Sequence, residues 1–290
     1  MSTPSWFSEA IATVPDHRHI DVDGVRIAYR AWGREGDPVT VLVHGGAAHA
    51  GWWDHVGPHL VGSAAGERVV ALDLSGHGDS EHADTYSLEA WAAQVVAVAA
   101  AETTDATRPV VLGHSMGGFV ALTTARDHGH RLAGVAALDS PVREMSAETR
   151  AWIEAGRGVP PNKVYPDLDT ILSRFRTLPA DDASLDYVRD HLARGSVVQT
   201  AEGWTWKFDP RIFFRSRMEP EELADAACPV ALLRGDRGMA SRDITDVVAQ
   251  RLGGHVPVTV VRDSGHHLML DQPVALVAAL QALVGEWRRP

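Results

Sequence analysis

The sequence predicts an α/β domain: a mostly parallel sheet flanked by helices and interrupted by a long helical insertion. Three observations carry this. Short runs that are apolar throughout recur between stretches of helical spacing, and strands apolar on both faces belong to a sheet covered on both sides. That rhythm stops after Asp139 and resumes near Val230. Finally, 290 residues with 45% hydrophobic and 22% charged side chains describe an ordinary globular chain with enough apolar material for a large core.

The elements follow in order. Apolar residues alternate through 19–22 and 25–29 around Asp23-Gly24, which predicts a β-hairpin. Val39–Val43 is a continuous apolar run ending in His44-Gly45-Gly46, and 69–72 is another ending at Asp73. Residues 87–101 are alanine-rich and spaced as a helix. The run 110–112 is a strand, a helix follows Ser115, and Gly134–Leu138 is a strand ending at Asp139. Between Pro141 and Ala227 the prolines at 160, 161, 166, 179, 210 and 220 break any long element, leaving short helical patches. The alternation returns with a strand at 230–233, a helix near 244–252, a strand at 256–261 and a last helix over Pro273–Trp287. The expected organisation is therefore a core formed by 1–140 and 228–290, with 141–227 inserted as a helical cap.

The formal charge is −11, from 38 acidic and 27 basic residues, which argues against nucleic acid or anionic membranes as partners. Cys228 is the single cysteine, so no intrachain disulfide is expected, and its apolar surroundings suggest a small buried hydrophobe. The opening MSTPSWFSEAIATVP lacks the basic and long apolar regions of a signal peptide. No apolar run approaches the roughly 18 residues of a membrane span. A soluble, cytoplasmic protein is expected.

Gly113-His114-Ser115-Met116-Gly117 stands between the 110–112 strand and the next helix. A serine on such a strained turn projects its hydroxyl above the sheet, and the flanking glycines let strand and helix approach. A serine hydroxyl needs a base. There are 15 histidines, but His266 directly follows Gly265 in the loop after the last expected strand, and ligands gather at strand carboxyl ends. His267 is the neighbour that could be mistaken for it. Donors for an oxyanion are expected from the backbone N–H groups of Gly46 and Met116. The pairs His17/His19 and His128/His130 have no further ligands nearby, so no metal is expected. Neither a dinucleotide fingerprint nor a phosphate loop is present.

Taken together, His44-Gly45-Gly46, the turn from Asp73 to Ser80, Gly113 to Gly118, and Gly265-His266 resemble the α/β-hydrolase-fold enzymes, in the branch with a helical cap after the sixth strand. The resemblance runs from the Asp23-Gly24 hairpin to the last helix. It implies that the 73–80 turn is structural, so His77 has no catalytic part, and Ser115 argues against relatives with an aspartate nucleophile. It also implies an acid to orient His266. Most relatives carry it in a Gly-x-x-Asp pattern after the strand at 230–233, but here that pattern reads Gly235-Asp236-Arg237-Gly238. The choices are Asp139, at the end of the preceding strand, or Asp236, and Asp139 is favoured.

The activity implied is hydrolysis of a carboxylic ester or lactone through an acyl-enzyme, without a cofactor. A thioesterase, a carbon–carbon bond hydrolase and a small-molecule receptor on the same fold are the alternatives. The only partner expected is a small-molecule substrate, with the oligomeric state left open. Trp152, Trp204, Trp206 and Phe213 in the insertion are candidates to line an apolar pocket, so the substrate is expected to be apolar and moderately bulky.

Overall fold

A computed structural model describes residues 3–62, 67–104, 107–155, 159–180, 184–214 and 217–289. Helix α1 (Ser5–Ala12) precedes an antiparallel hairpin, β1 (Asp16–Val22) and β2 (Val25–Trp32), in which Ile20 faces Ile27. Then come β3 (Val39–Val43), the short α2 (Gly57–Leu60), β4 (Arg68–Leu72), α3 (Leu88–Glu102), β5 (Val110–His114), α4 (Met116–His128) and β6 (Gly134–Leu138). The long connection after β6 carries α5 (Ala147–Glu154), α6 (Leu168–Leu172), α7 (Asp186–Gly195) and a small hairpin, β7 (Val197–Thr200) with β8 (Gly203–Trp206). The chain closes with β9 (Val230–Gly235), α8 (Arg242–Arg251), β10 (Val258–Val261), α9 (Leu268–Asp271) and α10 (Pro273–Trp287).

Eight of the strands form one sheet in the order β1-β2-β4-β3-β5-β6-β9-β10, parallel from β4 onward. The all-apolar strands are explained by two cores. Val41, Val43, Val70, Leu72 and Val111 point to the face covered by Trp91 and Val95 of α3 and Phe119 and Val120 of α4. Their neighbours Leu42, Val69, Ala71 and Leu112 point to the other face, against Leu276, Leu280 and Val284 of α10. The period of two in a strand makes this division automatic, and truncating a fully buried leucine such as Leu112 to alanine would cost about 2–5 kcal/mol.

Two expectations need correcting. Strand β10 begins at Val258, not 256, because Pro257 has no N–H for the parallel ladder and only its carbonyl is used, accepting from Leu232 at 2.9 Å. The 141–227 stretch is not purely helical: β7 and β8 pair around Ala201-Glu202, where β-branched and aromatic side chains favour extended backbone. The connection is fastened to the body of the protein by Val188 and Leu192 in one core and Ile212 and Met218 in the other. Further backbone bridging joins His77 to Phe208. It thereby lies over the carboxyl ends of the parallel strands.

Candidate active site

At the end of β5 the chain turns straight into α4 through Ser115, which sits at φ 54° and ψ −118°. A left-handed serine costs on the order of 1–3 kcal/mol and persists only where neighbours enforce it. Here Ser115 donates its N–H to Leu138 in β6 at 2.9 Å. The approach of helix to strand leaves no room for side chains, since a Cβ on Gly113 would lie 2.0 Å from the Gly117 carbonyl oxygen, and one on Gly117 2.4 Å from that of His44. The turn holds the Ser115 side chain at the positive end of α4, where it makes no capping bond of its own.

His266 arrives on the loop after β10. Its Nε2 is 3.0 Å from Ser115 Oγ, and its Nδ1 is 2.6 Å from Asp139 Oδ2. A carboxylate can only accept, so the imidazole carries its proton on Nδ1 and turns the Nε2 lone pair to the serine hydroxyl. Asp139 is fully buried at the end of β6, with φ 45°. Its Oδ2 also accepts from the Met239 N–H at 2.8 Å and its Oδ1 from the Gly235 N–H at 3.3 Å.

Gly238 makes this placement possible. A Cβ there would fall 2.0 Å from Asp139 Oδ1, so the position at which the family pattern carries its acid is occupied in space by the Asp139 carboxylate. Asp236 does not reach His266. It accepts from the N–H groups of Asp263 and Ser264 at 3.0 and 3.1 Å, and these bonds hold its carboxyl below the usual range. Its task is to shape the turn that delivers His266.

Two residues that sequence reasoning passed over complete the support. Asp271 accepts from the Gly265 N–H at 2.8 Å, and His114 donates through Nε2 to the His266 carbonyl at 2.9 Å. The signals were faint: a buried acid at the end of a four-residue helix, and a histidine next to the serine.

The His44-Gly45-Gly46 turn packs against the elbow. A Cβ on Gly45 would stand 3.3 Å from Ser115 Cβ, and one on Gly46 3.7 Å from Met116 Sδ. The N–H groups of Gly46 and Met116 have no acceptor among the described residues. The turn is locked from behind. His44 Nε2 accepts from the Leu74 N–H at 3.1 Å, leaving Nδ1 to donate to the Gly45 carbonyl at 2.7 Å. Buried Asp73 accepts from Ala50 and Asp79, tying the two strand-end loops together. His77 lies in this layer, its ring 4.7 Å from that of His44, and contributes nothing to the cavity wall.

Ser115 and His266 open into a cavity of about 560 Å³. Its aromatic wall includes Trp52, Phe119, Phe175, Trp206, Phe208 and Phe213. Trp206 and Phe213 thus stand where the insertion was expected to supply them. Trp204 does not, because it lies two residues, roughly 7 Å, farther out along β8, paired through its backbone with Tyr165. Trp152 belongs to α5, and its side chain lies outside the described residues. His267 lies on the wall with its ring edge-on to Trp52 at 5.5 Å.

His114, His266 and His267 bring ring nitrogens within 4.8 Å of one another. A metal ion held there would have to displace Ser115 or Asp139 from His266, whose two nitrogens are both engaged. Cys228 is half-buried and free, with burial pushing its thiol up to about 11.

Five of the seven buried histidines among the described residues make the fold sensitive to acid. Burial pushes His44 and His55 down to about 4, His49 down to about 3, and His77 and His114 well below the usual value. All five stay neutral in the folded protein while the unfolded chain protonates near 6.5. Their contribution is whole above pH 6.5 and is lost as pH falls toward 4. Asp73 works the other way: burial raises it to about 6, so it takes up a proton first in the folded state and offsets one histidine. Stability should therefore fall steeply as pH drops from about 6.5 toward 4. Urea midpoints measured from pH 7 to 4.5 check this, and a flat series would contradict it.

Residues 40–280 match the sequence profile of the family described as "Alpha/beta hydrolase family". The chain is 40% identical over 116 residues to a monoacylglycerol lipase of Mycolicibacterium smegmatis, covering 38% of this chain and 40% of the lipase. An esterase of Mycobacterium tuberculosis is 27% identical over 87% of this chain and 84% of its own length. Among solved structures, the thioesterase domain from the curacin biosynthetic pathway superposes with a TM-score of 0.77, at 23% identity, over 93% of this chain and 99% of that domain. This last likeness is one of fold.

Proposed function

The chain belongs to the α/β-hydrolase family, and from that premise we propose that it is a serine hydrolase cleaving carboxylic esters or lactones. The family and the esterase and lipase relatives support ester hydrolysis. The observation that carries the serine mechanism is the unbroken contact from Asp139 through His266 to Ser115, opening on an aromatic-walled cavity.

In this reading Ser115 Oγ attacks the ester carbonyl carbon while its proton passes to His266 Nε2. Asp139 holds the imidazole and supports its positive charge. The oxygen that becomes negative is met by the Gly46 and Met116 N–H groups, which are already in place and need no reorganisation. The tetrahedral intermediate collapses, the carbon–oxygen bond to the alcohol breaks, and His266 returns the proton to that oxygen. Water then attacks the acyl-serine, losing a proton to His266, and Ser115 leaves with the proton restored.

The 141–227 insertion acts as the cap that closes the apolar pocket, which suits a substrate with a moderately bulky apolar acyl or alcohol part. No helix among the described residues is long and apolar enough to cross a membrane.

Turnover of a short p-nitrophenyl ester, stopped by a fluorophosphonate that labels Ser115, is the expected result. Ligand binding without turnover or labelling would replace the enzyme with a receptor. The two adjacent histidines separate further. His266→Ala should lower kcat by about 10⁴-fold or more, because it removes the base. His267→Ala removes a ring from the cavity wall that packs beside Trp52 and His266 but leaves the base in place, and should act mainly on KM. An exchange of those two outcomes in steady-state kinetics would move the base to His267.

A further inference from the structure

The wall of the cavity is chemically divided. Its aromatic part surrounds Ser115 and His266, but the lining also includes Arg143, Arg174, Arg176 and Arg217, and among the described residues no aspartate or glutamate. That is unusual in a chain with 38 acidic and 27 basic residues. Elsewhere many arginines find acids, as Arg30 does with Asp54 at 2.7 Å and Arg126 with Glu89 at 3.1 Å, and those that do not, such as Arg108, Arg131 and Arg262, line no part of this cavity. The four at the cavity are exposed, and none has a carboxylate partner among the described residues. Arg176 is additionally held in place by donating to the carbonyls of Ser173 and Phe175 at 3.1 and 2.6 Å.

Single arginines at a surface are satisfied by water. Four around one concavity, with no carboxylate paired to them among the described residues and a low-dielectric aromatic wall behind, set up a positive field that draws anions in. Their planar forks match the oxygens of carboxylate, phosphate or sulfate. We propose, building on the hydrolase reading above, that the substrate carries an oxyanion group remote from the scissile carbonyl, and that Arg143, Arg174, Arg176 and Arg217 select it. The apolar body of the substrate fills the aromatic part of the cavity, and its anionic end lies at the arginine rim.

The test uses matched substrates on the full-length enzyme. One pair is the p-nitrophenyl ester of a neutral alkanoic acid and the p-nitrophenyl half-ester of the diacid of equal length. The other is an acyl-coenzyme A and the neutral N-acetylcysteamine thioester of the same acyl group. The anionic member of at least one pair should show a kcat/KM about tenfold higher, carried mostly by KM and weakened by salt. The pair that shows it identifies the source as carboxylate or phosphate. Changing all four arginines to glutamine should bring the ratio close to one, while four lysines should restore part of it. Arg34→Gln, at the opposite end of the strands and paired with Asp37, should leave the ratio unchanged. Equal rates within both pairs, or a ratio indifferent to the fourfold glutamine variant, would overturn the inference while the hydrolase reading stands. Absence of turnover on every ester, with no labelling of Ser115, would sink both.

Discussion

Ser115→Ala is expected to lower kcat by about 10⁴–10⁶-fold with the fold intact, as removal of the nucleophile does in other serine triads. The size of the effect follows from what the residue does and does not hold. Its hydroxyl meets His266 at 3.0 Å and caps nothing, while its backbone N–H keeps the bond to Leu138 whatever the side chain. Alanine keeps the same Cβ at the same left-handed φ, so the backbone strain is unchanged. Only the attacking oxygen is lost. The check is kcat on an activated ester beside a thermal melt of both proteins. A variant that keeps most of its activity would remove Ser115 from the reaction.

Asp139→Asn should cost about 10⁴-fold in kcat, while Asp236→Asn keeps most of the activity. Both oxygens of Asp139 receive N–H groups, from His266 and Met239 on one side and Gly235 on the other. An amide cannot accept on both sides. Turned toward His266, its NH₂ forces the ring to move its proton to Nε2, facing the serine with a donor. Turned toward Gly235, it sets two donors against each other. In either orientation the charge that supports the imidazolium has gone. Asp236 meets the turn amides of Asp263 and Ser264 and the Arg237 guanidinium at the surface, so its amide variant weakens a surface turn and leaves the His266 contact untouched. Circular dichroism should show both variants folded, and steady-state rates separate them. The reverse ranking would make Asp236 the acid.

Much of the framework was legible because it is local. Val39–Val43 and Gly134–Leu138 keep in the fold the bounds their apolar runs suggest, since polar or glycine residues mark both carboxyl ends. The Gly113 to Gly117 spacing describes its own turn. The choice between Asp139 and Asp236 was open for the opposite reason: both stand at strand ends, and only the lateral order β6-β9-β10 determines which one His266 descends upon. The same holds for Asp271 and His114, whose partners in the His266 loop depend on tertiary approach. Trp204 and Trp206 look alike in sequence. Their separation is a matter of how far the β7–β8 hairpin projects over the cavity, which alternation cannot encode.

The empty side of Gly238 couples two distant positions of the chain. Gly238→Asp alone drives a side chain into the Asp139 carboxylate, and Asp139→Gly alone leaves His266 with no anion behind it. Made together, they vacate one side of the histidine and fill the other. The double change is therefore far less damaging than the two single changes added, a strong departure from additivity between residues in contact.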